Sequence, residues 1–138
     1  MSGGPWFWVC AAALALPAAC LLWQGGKAAS STPFRVVYVT APSTVVADSI
    51  AEAIIKARLA ACVNIIPGLT SHYMWEGQLE KSEEVMLVIK SSVARLERLE
   101  VLVKMLHPYD VPEFLVLPVD GGSSEYFAFL ADGMSLSL

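Results

Sequence analysis

Positive charge is what this chain has least of. Lys and Arg number 9 against 13 Asp and Glu, a formal charge of −4 over 138 residues, and the basic positions are scattered. No basic run is available to neutralise a phosphate backbone, so nucleic acid is excluded as a partner. Cysteine is sparse as well. Cys10 and Cys20 fall within an apolar N-terminal run, which leaves Cys62 alone in the body. One thiol closes no internal disulfide, and that rules out a stapled secreted scaffold. The sequence also lacks a CxxC pair, a Gly-rich phosphate loop and a nucleophile spaced with its base, so the common catalytic signatures are missing. Internal repeats and low-complexity tracts are missing too.

What is there first is hydrophobic. Pro5 to Trp23 carries no charge, and Trp6, Trp8 and Trp23 stand at its ends. A run of about 18 apolar residues is the lower limit for a bilayer helix, and indoles favour the interface. Membrane anchor and cleaved signal peptide both remain open. Small residues follow at Gly25 to Ser30, as after a signal sequence, but the N-terminal positive charge of one is missing. For an anchor, Lys27 and Arg35 would keep the body cytosolic by the positive-inside rule. The chain therefore divides into residues 1–33, an apolar leader plus a small-residue linker from Gln24 to Pro33, and one domain over residues 34–138. Membrane association or the secretory pathway is the expected location.

In the body, Phe34 to Thr40 is β-branched and aromatic and reads as a buried first strand. Ser43 is placed to cap a helix over Thr44 to Leu59, whose apolar stripe is Val46, Ile50, Ile54 and Ala57. Two β-rich runs follow, Cys62–Trp75 and Leu79–Lys90, joined through Glu76-Gly77-Gln78. Pro67-Gly68 interrupts the first run and marks an edge or a bulge. Val85 to Ile89 is continuously apolar, as in a strand covered on both faces. Ser91-Ser92 offers a second N-cap, and Leu96, Leu99, Val103 and Leu106 form the stripe of a second helix that His107-Pro108 ends. Val111 to Val119 reads as a fourth strand, and Glu125 to Leu130 as a short closing helix. Strand, helix, strand, strand, helix, strand is the α+β, ferredoxin-like βαββαβ sandwich with a long hairpin. One sheet face stays bare and apolar in such a monomer, which argues for an oligomer.

Thr40-Ala41-Pro42, Arg58 to Asn64, Tyr73-Met74-Trp75-Glu76-Gly77 and His107 to Glu113 stand in that order. With these motifs the sequence resembles the CutA family of divalent-cation tolerance proteins, over about Val36 to Leu130. The resemblance implies a homotrimer in which the long hairpins extend neighbouring sheets, an association with copper or another divalent cation, and no enzymatic reaction. For animal members it implies partners in the membrane or secretory pathway, such as acetylcholinesterase. Bacterial members are assigned copper at positions that hold Val39 and Leu106-His107 here, so of those ligands only His107 matches.

Candidate metal ligands are thus His107 and Cys62, each with a plain alternative. A free cysteine packs readily in a core, and a histidine at a helix C-terminus can serve as a cap. His72 reads as a surface histidine. Tyr73 and Trp75 share one side of a strand and, with Lys90, Tyr109 and Glu113, form the expected intersubunit contact or cleft. Glu76, Glu80, Glu83 and Glu84 read as a solvated acidic edge, with weak divalent binding as the alternative. Two competing functions stand beside the partner-binding one. The first is a trimeric sensor like the PII signalling proteins, taking a small ligand or metal between subunits. The second is a hydrolase or isomerase with His107 and Glu113 as its acid and base.

Overall fold

The structure, a computed structural model, describes residues 30–137. The Pro5–Trp23 segment, Cys10 and Cys20 lie outside the described residues. Among those described, no helix is long and apolar enough to cross a membrane.

The elements are β1 (Phe34–Ala41), α1 (Thr44–Lys56), β2 (Cys62–Trp75), β3 (Gln78–Ser92), α2 (Leu96–Leu106, entered through a 3-10 turn at Val93–Arg95), β4 (Leu115–Pro118) and α3 (Ser124–Gly133). The sheet order is β2-β3-β1-β4, and every neighbouring pair is antiparallel. Each helical crossover therefore skips one strand, which is the expected ferredoxin-like arrangement. Period-2 alternation decides the faces. Val37, Val39 and Ala41 of β1 and Val85, Leu87 and Ile89 of β3 are buried against Ile50 and Ile54 of α1 and Leu99 and Val103 of α2. The intervening Val36, Tyr38, Met86 and Val88 are only half-buried, on the face that no helix covers.

The hairpin dominates the sheet. Glu76 and Gly77 both have positive φ, 48° and 79°, as a two-residue type I′ turn requires. Gln78 accordingly belongs to β3. At Pro67-Gly68 the register slips between Ile66 and Leu69, with Gly68 at φ 81°, so the interruption is a β-bulge within one continuous strand.

Several boundaries differ from the sequence reading. Ser91 and Ser92, read as an N-cap, end β3 instead, and the Ser92 side chain makes no cap bond. α1 ends at Lys56 because Arg58 turns left-handed, at φ 53°. Its N–H donates to the Ile55 carbonyl, and the Leu59 N–H to that of Ile54, a Schellman closure. The strand predicted over Val111 to Val119 shrinks to Leu115–Pro118, because residues 108–114 leave the sheet to form a loop. α3 is longer than predicted, capped by the Ser123 hydroxyl on the Tyr126 amide. It builds a second small core of Phe34, Leu130, Ala131 and Met134, where Phe34 and Phe127 stack at 4.9 Å.

Candidate functional site

The loop after α2 is fixed by its first residue. His107 ends the helix in extended conformation, its amide bonded to the Val103 carbonyl. The residue is 7% exposed. Nε2 lies 2.7 Å from the Thr40 carbonyl, and the Tyr109 amide donates to Nδ1 at 3.1 Å. A carbonyl can only accept and an amide can only donate, so these partners place the proton on Nε2 and leave Nδ1 as acceptor. The imidazole thereby pins residues 108–113 against the end of β1. Pro108 and Pro112 lack the amides a strand there would need.

The pinned loop faces the uncovered side of the hairpin. Register puts Ser71, Tyr73 and Trp75 of β2 on the same face as Ser82 and Glu84 of β3. The Tyr73 hydroxyl and Ser82 Oγ lie 3.0 Å apart. Between loop and hairpin opens a cleft of about 640 Å³, lined by Thr40, Tyr73, Trp75, Glu84, Tyr109 and Glu113 among others. Its electrostatics are anionic. Burial, and then the charge of Glu84, push the Glu113 carboxyl above its ordinary range, partly offset by the Thr40 backbone. Burial, and then the Glu84 carboxylate, push the Tyr109 phenol up. Oε2 of Glu113 is buried without a hydrogen-bond partner.

Four of the five residues expected at a contact or cleft, Tyr73, Trp75, Tyr109 and Glu113, line this one cavity. Lys90 does not. It lies six positions along β3 from Glu84, about 20 Å at about 3.3 Å per residue, with Nζ 3.6 Å from the Cys62 sulfur. Sequence reasoning missed Glu84. It was grouped with the solvated acidic edge, yet it is 7% exposed. The available signal was its even spacing from Met86 and Val88, which sets it on their face. His72 is exposed, as read.

The two candidate metal ligands do not converge within one protomer. Cys62 is in register with Lys90 and Val36, whereas His107 bonds at Thr40, four residues along β1. That separation is about 13 Å at about 3.3 Å per residue. Both His107 ring nitrogens are engaged, so a metal has to displace one of them. Among the described residues no group of three or more His, Cys, Asp or Glu side chains is placed to hold an ion. This donor set does not fit a resident copper centre built by one chain.

Residues 35–133 match the family model described as CutA1 divalent ion tolerance protein. The chain is 46% identical over 98 residues to the divalent-cation tolerance protein CutA of Thermus thermophilus, covering 71% of this chain and 95% of that one. It is 42% identical over 104 residues to the chloroplastic protein CutA of Arabidopsis thaliana, covering 75% and 57%. Among solved structures, CutA1 from Oryza sativa superposes with a TM-score of 0.72 at 42% identity, covering 75% of this chain and 95% of that chain.

Proposed function

The chain belongs to the CutA1 divalent ion tolerance family, and from that premise we propose that it works without enzymatic chemistry, as a homotrimer that acts by binding partners. One observation carries the proposal: the protomer leaves too much apolar surface uncovered. β4 is an edge strand, and Leu115, Val116 and Leu117 are 56%, 38% and 37% exposed along it. Met74 and Leu79, near the hairpin tip, are open as well. An unpaired apolar edge invites another strand, and the protruding hairpin of a neighbour supplies one. Three copies in a closed ring satisfy every edge in the same way. Divalent-cation association is then weak and secondary, since His107 and Cys62 stand apart.

Sedimentation equilibrium at micromolar concentration tests this. A single species of three times the chain mass is expected, and Leu115→Lys with Leu117→Lys should reduce it to a monomer. A well-folded wild-type monomer overturns the proposal. The partner proposed, a membrane or secretory protein such as acetylcholinesterase, rests on the family resemblance and on the apolar Pro5–Trp23 run. Co-purification of the two from cells tests it, and unchanged recovery after deletion of that run removes the membrane route. A second reading, the small-ligand sensor, is favoured by the cleft beneath Trp75.

A further inference from the structure

The cleft gives the sensor reading a ligand class, and this inference rests on that reading. Glu84 is more than nine-tenths buried, lines the cavity, and makes no ion pair among the described residues. The Tyr109 phenol is close enough to donate a hydrogen bond to its carboxylate, but a phenol supplies no charge in return. Glu113 faces the same space with Oε2 buried and unpartnered. No Lys or Arg lines the cleft. A carboxylate taken out of water without a counter-charge is strongly disfavoured, so this arrangement makes sense as a site whose cation arrives from outside.

We propose that the cleft binds a small organic ammonium ion, its charged head held between Glu84 and Glu113 and its alkyl body against the faces of Trp75 and Tyr73. The walls decide between an organic cation and a metal. A hard divalent ion wants about six oxygen ligands, and no grouping of acidic or imidazole side chains among the described residues offers even three. Indole and phenol faces, with Pro108, Val111 and Pro112 beside them, suit an alkylammonium, which aromatic rings attract through their quadrupole. The two carboxyls repel one another, and a monocation between them relieves that repulsion.

Calorimetric titration of the full chain in mild detergent and phosphate buffer, at fixed ionic strength, tests this with n-butylammonium chloride. The controls are n-butanol and sodium butanoate. Saturable binding of the ammonium alone is expected, weakened at least about tenfold by Glu84→Gln, as for loss of a charged hydrogen-bond partner. Trp75→Leu and Glu113→Gln should weaken it as well, and they keep the test informative where Glu84→Gln fails to fold. Equal binding of n-butanol reduces the site to an apolar slot and overturns the proposal. Binding of butanoate alone overturns it too, while leaving a small-ligand sensor standing. Absence of binding by all three overturns both. If Glu84→Gln alters the sedimenting species while the wild type ignores the ammonium, a neighbouring subunit fills the cleft, and the proposal is overturned.

Discussion

Replacing His107 by Phe removes the two bonds of the imidazole while keeping a ring of similar size in its place. The Thr40 carbonyl loses a donor at 2.7 Å and the Tyr109 amide an acceptor at 3.1 Å. A hydrogen bond contributes about 1 kcal/mol net, and a buried group left without its partner costs about 1–3 kcal/mol. Both bonds are partly buried, so a total loss of about 2–4 kcal/mol follows. With a urea slope of about 1–3 kcal/mol per molar, the midpoint should fall by on the order of 1–3 M while the slope holds. Far-UV circular dichroism at constant protein concentration reads this, constant because assembly shifts apparent stability by mass action. Hydrogen exchange supplies the specific signature: the Tyr109 amide should lose protection while the β1–β3 ladder keeps its own. His107→Gln, whose amide both donates and accepts, should recover part of the loss. A fall of under about 0.5 kcal/mol, no more than an ordinary surface substitution, would refute the pinning argument. So would a wild type that loses the same stability when a chelator is added, since His107 would then be held by metal.

Glu113→Gln should change how stability depends on pH. The folded carboxyl titrates above its ordinary range through burial and the Glu84 charge, so the folded state holds a proton that the unfolded chain releases at about pH 4.3. Wild-type stability therefore falls as pH rises through the window above that value. The variant should gain on wild type across the same window, and a melting difference that stays flat with pH would refute this. Gly133→Ala should destabilise, although alanine ordinarily gains up to about 1 kcal/mol in a helix. Its Cβ would stand 2.8 Å from that of Ala61, whose amide is bonded to the Lys90 carbonyl. Overpacking of this kind costs about 1–3 kcal/mol, read by thermal unfolding; a rise in melting temperature would show that α3 has room to move. Glu76→Asn should stabilise by a few tenths to about 1 kcal/mol, because Asn-Gly suits the type I′ turn better than Glu-Gly. An unchanged urea midpoint would count against that.

The hairpin was legible because its signals are local. Gly77 needs positive φ, Pro67-Gly68 cannot continue a flat ladder, and Val85 to Ile89 are apolar on both faces of the strand, the one under the helices and the one left uncovered. The sandwich followed from element order alone. Glu84 was not legible. Its even spacing from Met86 and Val88 gives its face but not its burial, because nothing local distinguishes an exposed tip from a position under a loop that arrives twenty-odd residues later. Burial of Glu84 depends on residues 108–113, whose course depends on the imidazole bond to Thr40. The shortened β4 has the same origin. Alternating β-propensity from Val111 onward favoured a strand, and the contest was lost to two prolines and a histidine that gives the loop other partners.

That one contest shapes both faces of the functional argument. If residues 111–114 had paired with β1, β4 would run the length of the sheet, the hairpin would have nothing opposite Tyr73 and Trp75, and Glu84 would be solvated. Because the loop lifts away, β4 keeps four residues, Leu115 to Pro118, as a short apolar edge, while the segment before it closes over a carboxylate. Joining and binding are thereby separated along a single connection. The exposed edge is short enough to be covered by one strand of a neighbour, and the cleft sits beyond its end, toward the hairpin tip. A change that straightens the loop should therefore strike both properties together. Pro112→Val restores an amide where a strand would use one, and it should lengthen β4, lower the affinity of the cleft for n-butylammonium, and alter the sedimenting species. Ammonium binding and assembly that respond independently to Pro112→Val would break the link between them.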